Sequence, residues 1–210
     1  MALLQIKNGL PIMDRTKFIT FEGCEGSGKS TQSKMLYDHL QRQGVDAILT
    51  REIGGTKIEE KIRDLIVHEE LLTEAELLMV MAARFEHVER VIKPALLQNK
   101  WVICDRFIDS TLSYQGGELG IDKVLKLHQE IFGDFMPHLT FWIDLELTNS
   151  LARARGRGDE NKFEHKKDAY HQDVYNNFKA LSQKFPNRIV RIDGSGSSQE
   201  VHGEIIKHIH

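Results

Sequence analysis

A chain of 210 residues is long enough for one sizeable core and short for two, so a single domain is expected. Hydrophobic residues at 40%, charged residues at 28% and a formal net charge of -3 describe an ordinary globular protein. They exclude a polycationic surface for a nucleic-acid polymer or an anionic membrane, and leave room for a local basic site that binds a small anion. Cys24 and Cys104 stand far apart and make no disulfide framework, which suits a reducing compartment. No apolar run reaches membrane-spanning length and the first residues carry no secretory pattern, so a cytoplasmic location is expected.

Residues 1–16, with a second methionine at Met13, are set apart as an N-terminal extension expected to be disordered. Lys17 to Glu22 then reads as a first strand, followed by a glycine-rich turn and a helix from Lys29 to Gln43. Val45 to Thr50, Trp101 to Asp105, Leu139 to Asp144 and Arg188 to Asp193 are short β-rich apolar runs and read as four further strands. Helical spacing runs over Thr56 to Val67, Glu74 to Gln98, Ile121 to Phe132, Asn149 to Arg155, Ala169 to Lys184 and Gln199 to His208. This alternation predicts an α/β fold, a five-stranded parallel sheet covered by helices on both faces, with ligands at the carboxyl ends of the strands. Residues 17–210 form one predicted domain, and the polar stretch Gly156 to Lys167 reads as a mobile loop. Arg153, Arg155 and Arg157 lead into that loop at every second position.

Between the first strand and its helix, Gly23-Cys24-Glu25-Gly26-Ser27-Gly28-Lys29-Ser30, followed by Thr31, fits the phosphate-loop pattern G-x-x-x-x-G-K-[ST]. Glycines let a loop wrap a phosphate closely, backbone N–H groups and the helix N-terminus supply positive potential, and a lysine such as Lys29 reaches the outer phosphates. Ser30 can ligate Mg²⁺, and Asp105, at the end of an apolar strand, stands where a second carboxylate helps to hold the metal. ATP with Mg²⁺ is the ligand this predicts. Cys24 lies at a helix N-terminus, where thiolate character can rise, but no resolving cysteine or base accompanies it and it receives no catalytic role.

A phosphate loop alone equally fits GTPases, motor ATPases and transport ATPases. The acceptor side distinguishes them: Arg51-Glu52-Ile53-Gly54-Gly55-Thr56 follows the second strand, and Asp105-Arg106-Phe107-Ile108-Asp109-Ser110-Thr111 continues to Tyr114-Gln115 after the third. Each places an arginine at a strand's carboxyl end, where a second anion can sit. In motif order and spacing the chain resembles the bacterial thymidylate kinases over nearly its whole length from Lys17. The resemblance covers the phosphate loop, the R-E-P-G-G-T element at Arg51 to Thr56, the D-R-[YFH] segment at Asp105 to Gln115, and the lid at Arg153 to Glu164.

That resemblance implies a nucleoside-monophosphate kinase fold with a short lid at about 153–167, transfer of the γ-phosphoryl group of ATP to dTMP, and a homodimer. It implies that Arg51 and Arg106 hold the acceptor phosphate and that Glu25 contacts the sugar's 3′-hydroxyl. Arg84 would hydrogen-bond the thymine ring, Thr111, Tyr114 and Gln115 would enclose base and sugar, Phe107 would also bind the substrate, and Arg153, Arg155 or Arg157 would act as arginine fingers in cis. Another nucleotide or nucleoside kinase of the same fold, or a non-kinase P-loop ATPase, is the alternative. Ile53 stands where the family has proline, Val80 where it has phenylalanine under the base, and Asn161-Lys162 where the lid has Asp-Arg. Because the acceptor phosphate already carries the attacking oxygen, the reaction needs no strong general base, and none of the ten histidines is assigned.

Overall fold

The computed structural model of the chain describes residues 6–7, 10–11, 17–155, 162 and 166–209. Five strands form the sheet: β1 (Phe18–Glu22), β2 (Ala47–Arg51), β3 (Trp101–Asp105), β4 (Leu139–Asp144) and β5 (Ile189–Asp193). Their spatial order is β2-β3-β1-β4-β5, and every neighbouring pair is parallel. All five residues of β1 are buried, Thr20 and Glu22 included, as expected of a strand covered on both faces. Within β1 the alternation assigns Phe18 to one core cluster, with Val102, Phe107 and Trp142, and Ile19 and Phe21 to the other, with Leu36, Ile143 and Ile205.

The chain leaves β1 for β2 at the sheet edge, while β3 and β4 flank β1 itself, so connections diverge above its carboxyl end and open a crevice there. Register brings the functional strand ends level: Phe21 and Arg51 both lie opposite Asp105, and Glu22 lies opposite Trp142.

The helices are α1 (Lys29–Arg42), α2 (Lys57–His68), α3 (Thr73–His87), α4 (Lys93–Leu97), α5 (Ile108–Tyr114), α6 (Gly116–Leu119), α7 (Ile121–Phe132), α8 (Leu147–Arg155), α9 (Asp168–Lys184) and α10 (Ser198–Ile206). Thr56 caps α2 by accepting from the Glu59 N–H, and Ser197 with Glu200 forms a reciprocal capping box on α10. The helix expected over Glu74 to Gln98 is divided: a π turn at Val88–Ile92 separates α3 from α4. Pro94, in the first turn of α4, has no N–H to continue an α-helical ladder, and the wider turn stands just before it. Helices α5 and α6 occupy a stretch for which no helix is expected from spacing. Within the segment set apart as an extension, Ile6–Lys7 and Leu10–Pro11 pair as a two-stranded antiparallel ribbon.

Candidate active site

The turn from β1 into α1 is built on glycine. Gly23 has φ 145°, and a Cβ there would lie 2.7 Å from the Ile143 carbonyl oxygen, so no other residue fits. Gly26 and Gly28 also have positive φ, and Gly28 caps α1 with no side-chain hydrogen bond, leaving the first N–H groups of the helix facing the loop. Lys29 is buried; its Nζ donates to the Cys24 carbonyl at 3.2 Å and stands 3.7 Å from Glu25 Oε2. Burial, and then the charge of Arg106, lower its pKa. Such an ammonium gains when an anion enters the loop. Burial also pushes the Cys24 thiol up to about 11, so the helix N-terminus gives it no thiolate character.

Beside the loop, between α2, α3 and α5, lies a cleft of about 730 Å³. Glu25 is its hinge with the phosphate loop: Arg106 Nη2 donates to Glu25 Oε1 at 2.5 Å, and the Tyr114 hydroxyl donates to the same oxygen at 3.3 Å. Burial alone would raise the Glu25 carboxyl, but Arg106 and Lys29 outweigh it and hold it down at about 2. Arg106 has φ 71°, and its guanidinium donates to Ser110 Oγ at 2.9 Å and lies 5.2 Å from the Tyr114 ring centroid. Beneath it, Glu22 accepts from the Phe107 N–H at 2.7 Å and from Ser110 Oγ at 2.5 Å. Burial and the neighbouring Asp109 push the Glu22 carboxyl up to about 8.

The far wall is set by Arg84, 1% exposed, whose Nε donates to Glu52 Oε2 at 2.8 Å and whose Nη2 donates to Thr111 Oγ1 at 2.8 Å. Its guanidinium lies 4.8 Å from the centroid of the buried Phe107 ring. Gln115 also lines the cleft and donates to Glu76, which in turn accepts from Lys162 Nζ at 2.6 Å. Ile66, Val67 and Val80 supply an aliphatic side. Arg51 is half-exposed and paired with Glu60 at 2.6 Å. Thus Glu25, Arg84, Arg106, Phe107, Thr111, Tyr114 and Gln115 meet in one cleft, with Arg51 close to it. Among the lining residues that were not anticipated is one further cation: Arg63, on α2, lines the cleft and donates to the Ile53 carbonyl at 3.2 Å. Burial, then the charges of Arg51 and Arg106, lower its pKa, which marks a concentration of positive charge. In sequence its spacing of four from Glu59 reads as an ordinary surface pair, so no local signal sets it apart.

On the other side of the loop a second cleft, about 740 Å³, runs between Gly26 to Gly28, Thr31, Gln32 and the turn from β5 into α10. Arg153, exposed on α8, lines it. The Arg155 side chain and the whole of Arg157 lie outside the described residues. As for a metal, no cluster of three or more His, Cys, Asp or Glu among the described residues could hold one alone. Asp105 Oδ1 is nevertheless buried with no hydrogen-bond partner among the described residues, at the strand end beside the phosphate loop. A hard oxygen so placed, with Ser30 in the first turn of α1, fits Mg²⁺ that arrives with phosphate oxygens and keeps waters.

The thymidylate kinase family model matches residues 21–205. Two thymidylate kinases are similar over 92% of this chain and 97% of their own length: that of Rickettsia africae (strain ESF-5), 53% identical over 196 residues, and that of Rickettsia typhi (strain ATCC VR-144 / Wilmington), 50% identical over 196 residues. The crystal structure of thymidylate kinase from Ehrlichia chaffeensis superposes with a TM-score of 0.74 at 37% identity, covering 92% of this chain and 98% of that one. The chain belongs to the thymidylate kinase family. Membership implies ATP-dependent phosphorylation of dTMP to dTDP on a five-stranded P-loop kinase fold. Against the family pattern, Ile53 follows a cis Glu52–Ile53 peptide and lines the cleft, and Val80 is buried in its wall. Lys162, the lid departure, is anchored to the Glu69 carbonyl as well as to Glu76.

Proposed function

We propose that the phosphate loop binds ATP, that the cleft beside it binds dTMP, and that phosphoryl transfer takes place across Glu25. The observation that carries this reading is the sharing of one carboxylate: Glu25 stands 3.7 Å from Lys29 and 2.5 Å from Arg106, so a donor-phosphate cation and an acceptor-phosphate cation lie one side chain apart. Two phosphates brought to those cations are close enough for direct transfer, without a covalent enzyme intermediate.

In this reading Arg106 and Arg51 take the acceptor phosphate, with Arg63 adding charge near them. Arg84 hydrogen-bonds the thymine ring and Thr111, Tyr114 and Gln115 enclose base and sugar. Glu25, ionised at neutral pH, accepts a hydrogen bond from the 3′-hydroxyl. Lys29 and Arg106 spread charge from the transferring group, aided by Arg153, Arg155 or Arg157 from the lid. Ser30 and Asp105 would hold Mg²⁺, which when bound neutralises charge on the phosphate oxygens. Closure of the cleft excludes water, a competing acceptor.

Two coarser features accompany this. Leu65 on α2, Leu78 and Phe85 on α3 and Ile131 on α7 are exposed apolar side chains, which supports a homodimer burying these helices. No helix among the described residues is long and apolar enough to cross a membrane, and a cytoplasmic enzyme is the reading adopted. Titration calorimetry with dTMP tests the site assignment: Arg106→Met is expected to lose dTMP binding and to keep ATP binding. Equal dTMP affinity in wild type and variant would remove Arg106 from the acceptor phosphate.

A further inference from the structure

Behind the proposed base site lies a buried polar chain that no catalytic role explains. Glu52 is buried, and its two carboxylate oxygens are divided: Oε2 accepts from Arg84 Nε at 2.8 Å, and Oε1 faces Nδ1 of His87 at 3.1 Å. His87 is wholly buried, one helical turn beyond Arg84 on the same face of α3. Its Nε2 lies 2.6 Å from Thr50 Oγ1 on β2, and Glu59 Oε2 lies 4.0 Å from Nδ1. With the Glu52 carboxyl shifted towards its ionised form, chiefly because Arg84 and His87 outweigh the effect of burial, Nδ1 faces carboxylate oxygens and must be the donor.

A second observation, independent of those hydrogen bonds, concerns the loop after β2. Gly55 needs no positive φ, yet a Cβ built on it would lie 2.4 Å from both Cδ2 and Nε2 of His87. The imidazole, with Thr50 Oγ1 at 2.9 Å, leaves no room for a side chain there. On the other side of the loop, Glu59 Oε2 accepts from the Gly54 and Gly55 N–H groups at 3.1 and 3.0 Å. The loop that begins at Arg51 is thereby clamped between the His87 ring and the first turn of α2.

We infer that His87 is a positioning residue for acceptor recognition: donating to Glu52 while packed on Gly55, it orients Arg84 and ties the Arg51–Thr56 loop to the base-reading end of α3. Base and phosphate of one acceptor are then gripped by groups tied to one buried His87–Glu52 pair. Loss of the Nδ1 donor leaves Glu52 free to turn from Arg84, and Arg84 free to leave its place against Thr111. The inference rests on the assignment of the cleft to dTMP.

Three substitutions separate positioning from packing. The side-chain nitrogen of His87→Asn falls near Nδ1 and can still donate to Glu52. That of His87→Gln falls near Nε2 and keeps only the Thr50 contact, and His87→Leu keeps volume alone. With dTMP-dependent turnover of the wild type established first, Gln and Leu are expected to raise the KM for dTMP by about ten-fold or more, with the KM for ATP and kcat within about three-fold of wild type. His87→Asn should restore the dTMP KM to within about three-fold of wild type. Thermal melts accompany each variant, and the Asn–Gln comparison decides the matter even where Leu does not fold. Equal dTMP KM in Asn and Gln variants, or parallel loss of both substrates' KM, would overturn the role. A wild type with no dTMP-dependent turnover would overturn the site assignment as well, and the control reports that separately.

Discussion

Glu22 offers a test of the site's electrostatics that does not depend on catalysis. Its carboxyl is fully buried and raised from 4.5 to about 8, by burial first and by Asp109 second, although Ser110, Arg106 and the Phe107 N–H oppose the shift. In the unfolded chain the group releases its proton near pH 4.5, whereas the folded protein keeps it to about pH 8. The folded state therefore binds more protons across that interval, so stability is fully present below the lower value and is lost as pH rises through the upper one. One proton gives a slope of at most about 1.4 kcal/mol per pH unit, a ceiling of about 4 kcal/mol between pH 5 and pH 8. Glu22→Gln keeps an oxygen for the Phe107 N–H and removes the titration. Urea unfolding of both proteins at several pH values reads the effect, because the titrating groups that do not interact with Glu22 are common to both. The wild-type advantage over the variant should shrink by at least about 1 kcal/mol from pH 6 to pH 8 and then level off. Parallel stability curves over that range would refute the reasoning.

Lys29→Ala is expected to abolish dTMP-dependent ADP formation while leaving the far-UV spectrum and melting temperature close to wild type, since among the described residues its ammonium pairs with the Cys24 carbonyl and Glu25; activity near wild type would contradict it. Val80→Phe adds an aromatic face to the aliphatic wall of a cleft of about 730 Å³ and should tighten dTMP binding, base–aromatic stacking being worth about 1–3 kcal/mol. Equal or weaker binding by calorimetry would show that Val80 does not lie under the base. Alanine at Arg153, Arg155 or Arg157 should lower kcat by orders of magnitude in at least one variant with little change in dTMP affinity. Three variants within a few-fold of wild type would leave charge stabilisation to Lys29 and Arg106.

The central strands were legible because they are buried on both faces and so read as near-continuous apolar runs; Phe18–Glu22 and Leu139–Asp144 fall where the runs are, while the edge strands β2 and β5 expose alternate residues. The phosphate loop was legible for a different reason: the positive φ of Gly23, Gly26 and Gly28 is a demand local to the turn, to which the Ile143 carbonyl beside Gly23 adds a distant one. Helix α5 was not, because Asp109, Ser110, Thr111 and Ser113 favour helix weakly, and what orders them comes from distant chain. Glu22 accepts the Phe107 N–H and Ser110 Oγ at the start of that helix, and Arg188 grips Asp109 through two hydrogen bonds of 2.5 and 2.7 Å. The same reason hid the buried polar chain. Glu52, Arg84 and His87 are partners only once β2 and α3 are packed together, and nothing in the local spacing of a glutamate 32 residues before an arginine announces it. Arg63 is one of several charges on α2, and only the packing of that helix shows that it faces the cleft.

The central claim is that two sites joined at Glu25 bring ATP and dTMP together. Its most direct test is the rate of ADP formation from ATP and Mg²⁺ with dTMP, dUMP, dCMP, AMP or GMP as the added nucleotide, against a control with none. The account predicts turnover that depends on the acceptor, highest with dTMP, with little ADP formed in the control. ADP formation at the same rate with no nucleotide added, or a clear preference for AMP or GMP over dTMP, would contradict it.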